Sequence, residues 1–224
     1  MSKDIRIKKG LDIKLVGEAA QITTPISTQG MYAVKPEDFH GIIPKLIAKE
    51  GAEVKAGQAL FHSKNNEQIL FPSPVSGKIT EIIRGARRRV LTVKIESSTT
   101  QEYQDFGLQD VEKMSAEAIK THLLASGCWP FIKQRPYDVI ANPENSPKAI
   151  FISGYASAPL AADYDYTLQG KALELQTAIT AVAKLTGLKD ANLVGPEFAG
   201  DYSLCCAVTE NGIQFDLTGN GLSN

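Results

Sequence analysis

An α+β chain in two parts, a small all-β unit followed by an α/β unit, is predicted by two shifts of pattern along the 224 residues. Up to about residue 100, short apolar runs are broken by Gly and Pro, as short strands and tight turns require. Beyond it the runs lengthen, and apolar residues recur every three or four positions between capping residues, as helices require. A polar stretch, Ser97-Ser98-Thr99-Thr100-Gln101-Glu102, reads as a linker between them, so the expected domains are 1–100 and 101–224.

In the first part, strands are expected at 5–8, 60–62, 79–83 and 90–95. The last two alternate: Ile79, Glu81 and Ile83 share one side, and Leu91, Val93 and Ile95 oppose Val90, Thr92 and Lys94, a pattern of half-buried strands. In the second part, Ser115 precedes a helix with Ile119 and Leu123 on one face and Gly127 as its stop. A buried strand follows at 149–152, then a helical stripe of Leu168, Ala172, Leu175, Ile179 and Val182 ending at Gly187, then a short strand at 192–194. The order strand, helix, strand predicts a parallel, Rossmann-like sheet covered by helices.

Composition narrows the function. Hydrophobic residues make up 43% and charged residues 22%, enough apolar material for real cores. With 24 basic and 25 acidic residues the net charge is -1, which gives nucleic acid no attracting field. No apolar run approaches the ~20 residues that span a bilayer, and Met1-Ser2-Lys3-Asp4 lacks a signal-peptide core, so a cytosolic protein is expected, held at any membrane by others. Adjacent Cys205 and Cys206, with Cys128 far away, give neither an unstrained disulfide nor a CxxC run. His40, His62 and His122 show no ligand spacing, so no metal or cluster is expected on the chain.

The most specific segment is Glu50-Gly51-Ala52-Glu53-Val54-Lys55-Ala56-Gly57-Gln58-Ala59-Leu60, followed by Phe71-Pro72-Ser73-Pro74-Val75-Ser76-Gly77-Lys78-Ile79. It resembles the biotinyl and lipoyl carriers, whose paired glycine motifs frame a β barrel-sandwich. Gly51, Gly57 and Gly77 would supply turns, and Val54 and Leu60 would point inward. A working carrier needs a lysine at the hairpin tip between the motifs. Counting back from Pro74 puts that place at Asn66, which has no amine; Lys64 lies two residues off, so no prosthetic arm is expected.

Arg84, Arg87, Arg88 and Arg89 crowd around Gly85 in the next hairpin. Such charge runs are usually solvated surface, and that reading stands beside a docking patch, for which these four are the candidate residues.

Further along, Ile7-Lys8-Lys9-Gly10-Leu11-Asp12, the turn Arg84-Gly85-Ala86-Arg87-Arg88, Leu123-Leu124-Ala125-Ser126-Gly127-Cys128-Trp129-Pro130, Arg135-Pro136-Tyr137, and Ala149-Ile150-Phe151-Ile152-Ser153 with Ala158-Pro159-Leu160-Ala161-Ala162-Asp163 follow in order. Together they resemble the A subunit of the bacterial sodium-translocating NADH:quinone oxidoreductase, over roughly residues 3–187, with the likeness fading after Gly187. The resemblance implies the N-terminal half of a peripheral subunit on the cytoplasmic face of the bacterial inner membrane. The complex couples NADH oxidation by quinone to sodium export. Its other subunits, membrane-embedded ones included, are the implied partners, and quinone association is implied by the same resemblance. NADH, flavins, an iron–sulfur cluster and quinone belong to the complex, and no cofactor or catalytic residue is expected on this chain.

That family is distantly similar to the flavin-binding, NADH-oxidising subunit of respiratory complex I and to the C subunit of the Rnf complex, whose G-G-A-G-F-P-T loop wraps FMN. Here the corresponding run is Gly127-Cys128-Trp129-Pro130-Phe131-Ile132-Lys133, with one glycine, an indole and a proline that has no N–H. Where those relatives carry N-G-A-E-C-E-P, this chain has Ser153-Gly154-Tyr155-Ala156-Ser157-Ala158-Pro159, with the acidic groups replaced. The rival expectations are a free biotinyl- or lipoyl-type carrier and a flavin-binding electron-transfer protein.

Overall fold

The computed structural model describes residues 15–17, 20–27, 30–147, 149–153, 163–186, 204–209 and 212–217; the strand expected at 5–8 lies outside them. Seven strands build the first unit: β1 (Met31–Val34), β2 (Pro44–Leu46), β3 (Glu53–Val54), β4 (Ala59–Ser63), β5 (Asn66–Pro72), β6 (Gly77–Arg84) and β7 (Val90–Ser97). They form two antiparallel sheets, β1-β7-β6-β3 and β2-β4-β5, with one shared core between Leu60, Phe61 and Phe71 on one side and Ile79, Val93 and Ile95 on the other. Phe61 stacks on Phe71 at 4.7 Å, and Phe39 meets Phe71 edge-on at 4.6 Å.

The glycine framework acts in two different ways. Gly51 (φ +81°) and Gly57 (φ +91°) supply left-handed turns, as expected, and Val54 and Leu60 are buried. Gly77 is not a turn. It opens β6, where a Cβ would overlap the Glu96 carbonyl oxygen, so its role is close strand approach.

The alternation expected in β6 is broken by a bulge. Ile79 pairs with Ile95 but Glu81 with Lys94, so one residue is extra and the inward side changes from Ile83 to Ile82. Glu50 Oε1 accepts a 2.6 Å hydrogen bond from the Ile82 N–H there. A second shift between Ile83 and Arg84 buries Val90 and leaves Leu91 half-buried.

The polar stretch after β7 is tied down rather than a free linker. Gln101 Oε1 accepts from the Ser76 N–H at 2.8 Å, Ser76 Oγ accepts from the Glu102 N–H at 2.8 Å, and Ala56 donates to the Glu102 carbonyl and accepts from the Gln104 N–H.

In the second part, α1 (Ala116–Ala125) starts where expected: Ser115 Oγ accepts the Ala118 N–H at 3.2 Å, and Gly127 ends it at φ +72°. Then come β8 (Lys133–Gln134), β9 (Val139–Ile140), β10 (Ala149–Ser153), α2 (Tyr164–Thr167), α3 (Ala172–Leu185), β11 (Leu204–Thr209) and β12 (Gly212–Leu217). Leu168 caps α2 instead of joining α3, whose buried face carries Ile179 and Ala183. Lys184 Nζ latches the end of α3 to the entrance of α1 by donating to the carbonyls of Val111 (2.8 Å), Glu112 (2.6 Å) and Met114 (3.2 Å).

Among the described residues the sheet in this half is antiparallel, β10-β11-β12, where a parallel one was expected; the strand expected at 192–194 lies outside them. Strands β11 and β12 are antiparallel, with Thr209 paired to Gly212, so their pairing needs no crossover helix. The core also crosses residue 100: Leu124 and Trp129 belong to the β unit's apolar cluster, with Leu123, Ile132, Ile140 and Leu185 packed around it.

Candidate docking site

The four arginines lie together at the far end of the β6–β7 ribbon, and all are exposed. Arg89 donates its N–H to the Ala86 carbonyl at 3.2 Å, closing a turn whose central residues, Arg87 (φ 53°) and Arg88 (φ 60°), are both left-handed. That geometry is the type I′ hairpin turn, which favours Asn-Gly because a Cβ clashes there at about 1–2 kcal/mol per residue. Arg84 Nη1 donates to the Arg88 carbonyl at 3.3 Å. Elsewhere on the β unit Lys45 pairs with Glu67 (2.9 Å), Lys55 with Glu102 (3.3 Å) and Lys94 with Glu81 (2.7 Å), while Lys35, Lys49, Lys64 and Lys78 form no ion pair with a described residue. None of the four arginines forms an ion pair with a described residue.

The other hairpin corrects a count made from the sequence. Ser63 pairs with Asn66, so the turn residues are Lys64 and Asn65, and Lys64, not Asn66, stands at the tip. Lys64 is exposed, and its N–H donates to the Ile43 carbonyl at 2.8 Å. Beside it, the hydrogen bond from Lys45, the Lys45 charge and then His62 hold the Glu67 carboxyl below its usual range. Counting from Pro74 missed this because turn position is set by strand register, which the spacing alone does not give.

In the run 127–133 the backbone donors turn inward. Gly127 donates to Leu124, Cys128 to Leu123, Phe131 to Cys128 and Ile132 to Trp129, while Pro130 has no N–H. Trp129 is buried, and its indole N–H donates to the Ala141 carbonyl at 2.8 Å. A phosphate cradle needs several free N–H groups on one concavity, and these are spent within the chain. Of the second motif, Ser153 alone is described. Among the described residues, no group of three or more His, Cys, Asp or Glu side chains is placed to hold a metal, and no helix is long and apolar enough to cross a membrane.

Fold and surface together define a two-part protein, a barrel-sandwich with an α/β unit packed on it, whose most distinctive surface feature is a basic turn. Residues 5–98 match the NqrA N-terminal barrel-sandwich hybrid domain, and residues 114–198 match the NqrA second alpha/beta domain. The A subunit of the Na(+)-translocating NADH-quinone reductase of Yersinia pseudotuberculosis is 35% identical over 184 residues, 81% of this chain and 41% of that protein. Its counterpart of the same name from Haemophilus influenzae is 30% identical over 217 residues, 96% of this chain and 48% of that protein. The chain belongs to the NqrA family, in its first two domains. It spans about half the length of these relatives or less, and the likeness runs beyond Gly187, further than the sequence motifs suggested.

Proposed function

We propose that this chain serves as a cofactor-free, peripheral part of a sodium-translocating NADH:quinone reductase, on the cytoplasmic face of the membrane, and contributes by contact rather than by chemistry. The observation that carries the reading is the arginine turn: four exposed guanidiniums crowded at one end of the β6–β7 ribbon, none of them in an ion pair with a described residue. The relatives' name supports the assembly and its use of NADH, sodium and quinone. Quinone enters the proposal through that name alone.

Each exposed guanidinium pair contributes only ~0–1 kcal/mol, so the cluster tunes assembly and does not hold it alone. Replacing Arg84, Arg87, Arg88 and Arg89 with Ser is expected to leave the isolated fold intact while co-purification with the membrane-embedded subunits fails at lower salt. Identical recovery across a salt series would return the turn to plain solvated surface.

A second reading, a carrier bearing an acyl group on a lysine, is favoured by the place of Lys64 at the hairpin tip. Intact mass of the chain from its native host separates the two, and no adduct is expected. Calorimetry with FMN is likewise expected to give no heat, because the N–H groups of Gly127, Cys128, Phe131 and Ile132 are spent within the chain and Pro130 has none. A site of micromolar strength or tighter would defeat the cofactor-free reading.

A further inference from the structure

We infer that the turn at 86–89, with Arg84 beside it, is a receptor for an acidic protein segment, one presenting two or more neighbouring carboxylates. This rests on the docking reading above and names the chemistry of what docks.

The backbone gives the first argument. Arg87 and Arg88 occupy left-handed positions where Asn-Gly would close the same turn at lower cost, since Gly has no Cβ and Asn tolerates the left-handed region. Side chains held against a backbone preference point to a use for those side chains. Residue type gives the second. The ion-paired cations of the β unit are Lys45, Lys55 and Lys94, whereas the turn is entirely arginine in its charged residues. The guanidinium fork matches a carboxylate with two parallel hydrogen bonds, which a lysine ammonium does not.

The surroundings choose between an acidic protein and an anionic lipid surface. Glu50 and Glu53 are exposed on the segments beside the ribbon, so a broad anionic plane would meet carboxylates as well as arginines. Among the described residues, no exposed large hydrophobic lies between Ile47 and Tyr103, so the turn has no neighbouring apolar anchor in sequence of the kind that interfacial binding uses. A narrow acidic segment meets the turn alone.

The test uses the 224-residue chain, the double variant R87N/R88G, and a variant with all four arginines changed to lysine. Hexaglutamate and vesicles of equal parts phosphatidylglycerol and phosphatidylcholine are the probes, titrated at low and at physiological salt. The wild type is expected to bind hexaglutamate in a salt-sensitive way. The double variant should bind it about 10-fold more weakly, and the lysine variant also more weakly, because charge without the fork is not enough. The double variant should also melt about 4 °C higher, its turn relieved of two left-handed arginines.

Equal peptide binding by wild type and double variant would overturn the inference, and so would an unraised melting temperature. Vesicle binding that the double variant loses would overturn it too, assigning the turn to lipid phosphate. The assembly reading is judged separately. Co-purification of the wild type with membrane subunits, alongside equal peptide binding by wild type and double variant, sinks only this inference; failure of the wild type to co-purify, alongside the expected peptide result, sinks only the assembly.

Discussion

Replacing Gly77 with alanine is expected to cost the protein about 3 kcal/mol or more, the largest effect of any single methyl group added to the β unit. The new Cβ would overlap the Glu96 carbonyl oxygen, with the Glu96 carbonyl carbon at 2.9 Å and Ser97 Cα at 3.0 Å. These are backbone atoms of the paired strand, which cannot rotate aside as a side chain can. Relief requires β6 and β7 to part where Gly77 pairs with Ser97 and Lys78 with Glu96. Denaturant unfolding followed by far-UV circular dichroism and by the emission of the single tryptophan reads the result. Because Trp129 shares the core of the β unit, both signals should move to the same lower midpoint. A midpoint within about 0.5 kcal/mol of wild type would mean that the strands yield more easily than this packing allows.

Trp129→Ala should be the most damaging substitution beyond the β unit, at about 3–5 kcal/mol. The indole is 5% exposed, packs into the core that holds Phe71 and Leu124, and ties Ala141 down through its N–H. Trp129→Phe keeps most of the volume and loses the donor, leaving the Ala141 carbonyl without that bond, so about 1–2 kcal/mol is expected. The ordering is the test. If phenylalanine were as damaging as alanine, the hydrogen bond and not the packing would hold this corner.

What could be read in the sequence was what local chemistry decides. The turns at Gly51 and Gly57, the inward Val54 and Leu60, the Ser115 cap and the Gly127 stop each depend on neighbours within a few residues. The arginine cluster was visible as a run, but its left-handed backbone was not, because Arg-Arg carries no turn signal. The bulge between Ile79 and Glu81 reversed the expected face of Ile83 because one inserted residue inverts the alternation after it. The antiparallel partners of β10 come from residues more than fifty positions away, beyond any periodicity window.

The hydrogen bonds that fasten 97–104 to the β unit, and the apolar cluster that continues into α1 and Trp129, bear on where the molecule could be cut. A fragment ending with the last strand would keep both sheets yet lose Leu123, Leu124 and Trp129 from the β5 side, baring Phe71 and its neighbours to water. It would also give back to solvent the Ser76 and Ala56 N–H groups that Gln101 and Glu102 now satisfy. The end of the sheet is thus not the end of the packed unit, which extends through the segment carrying Ala141.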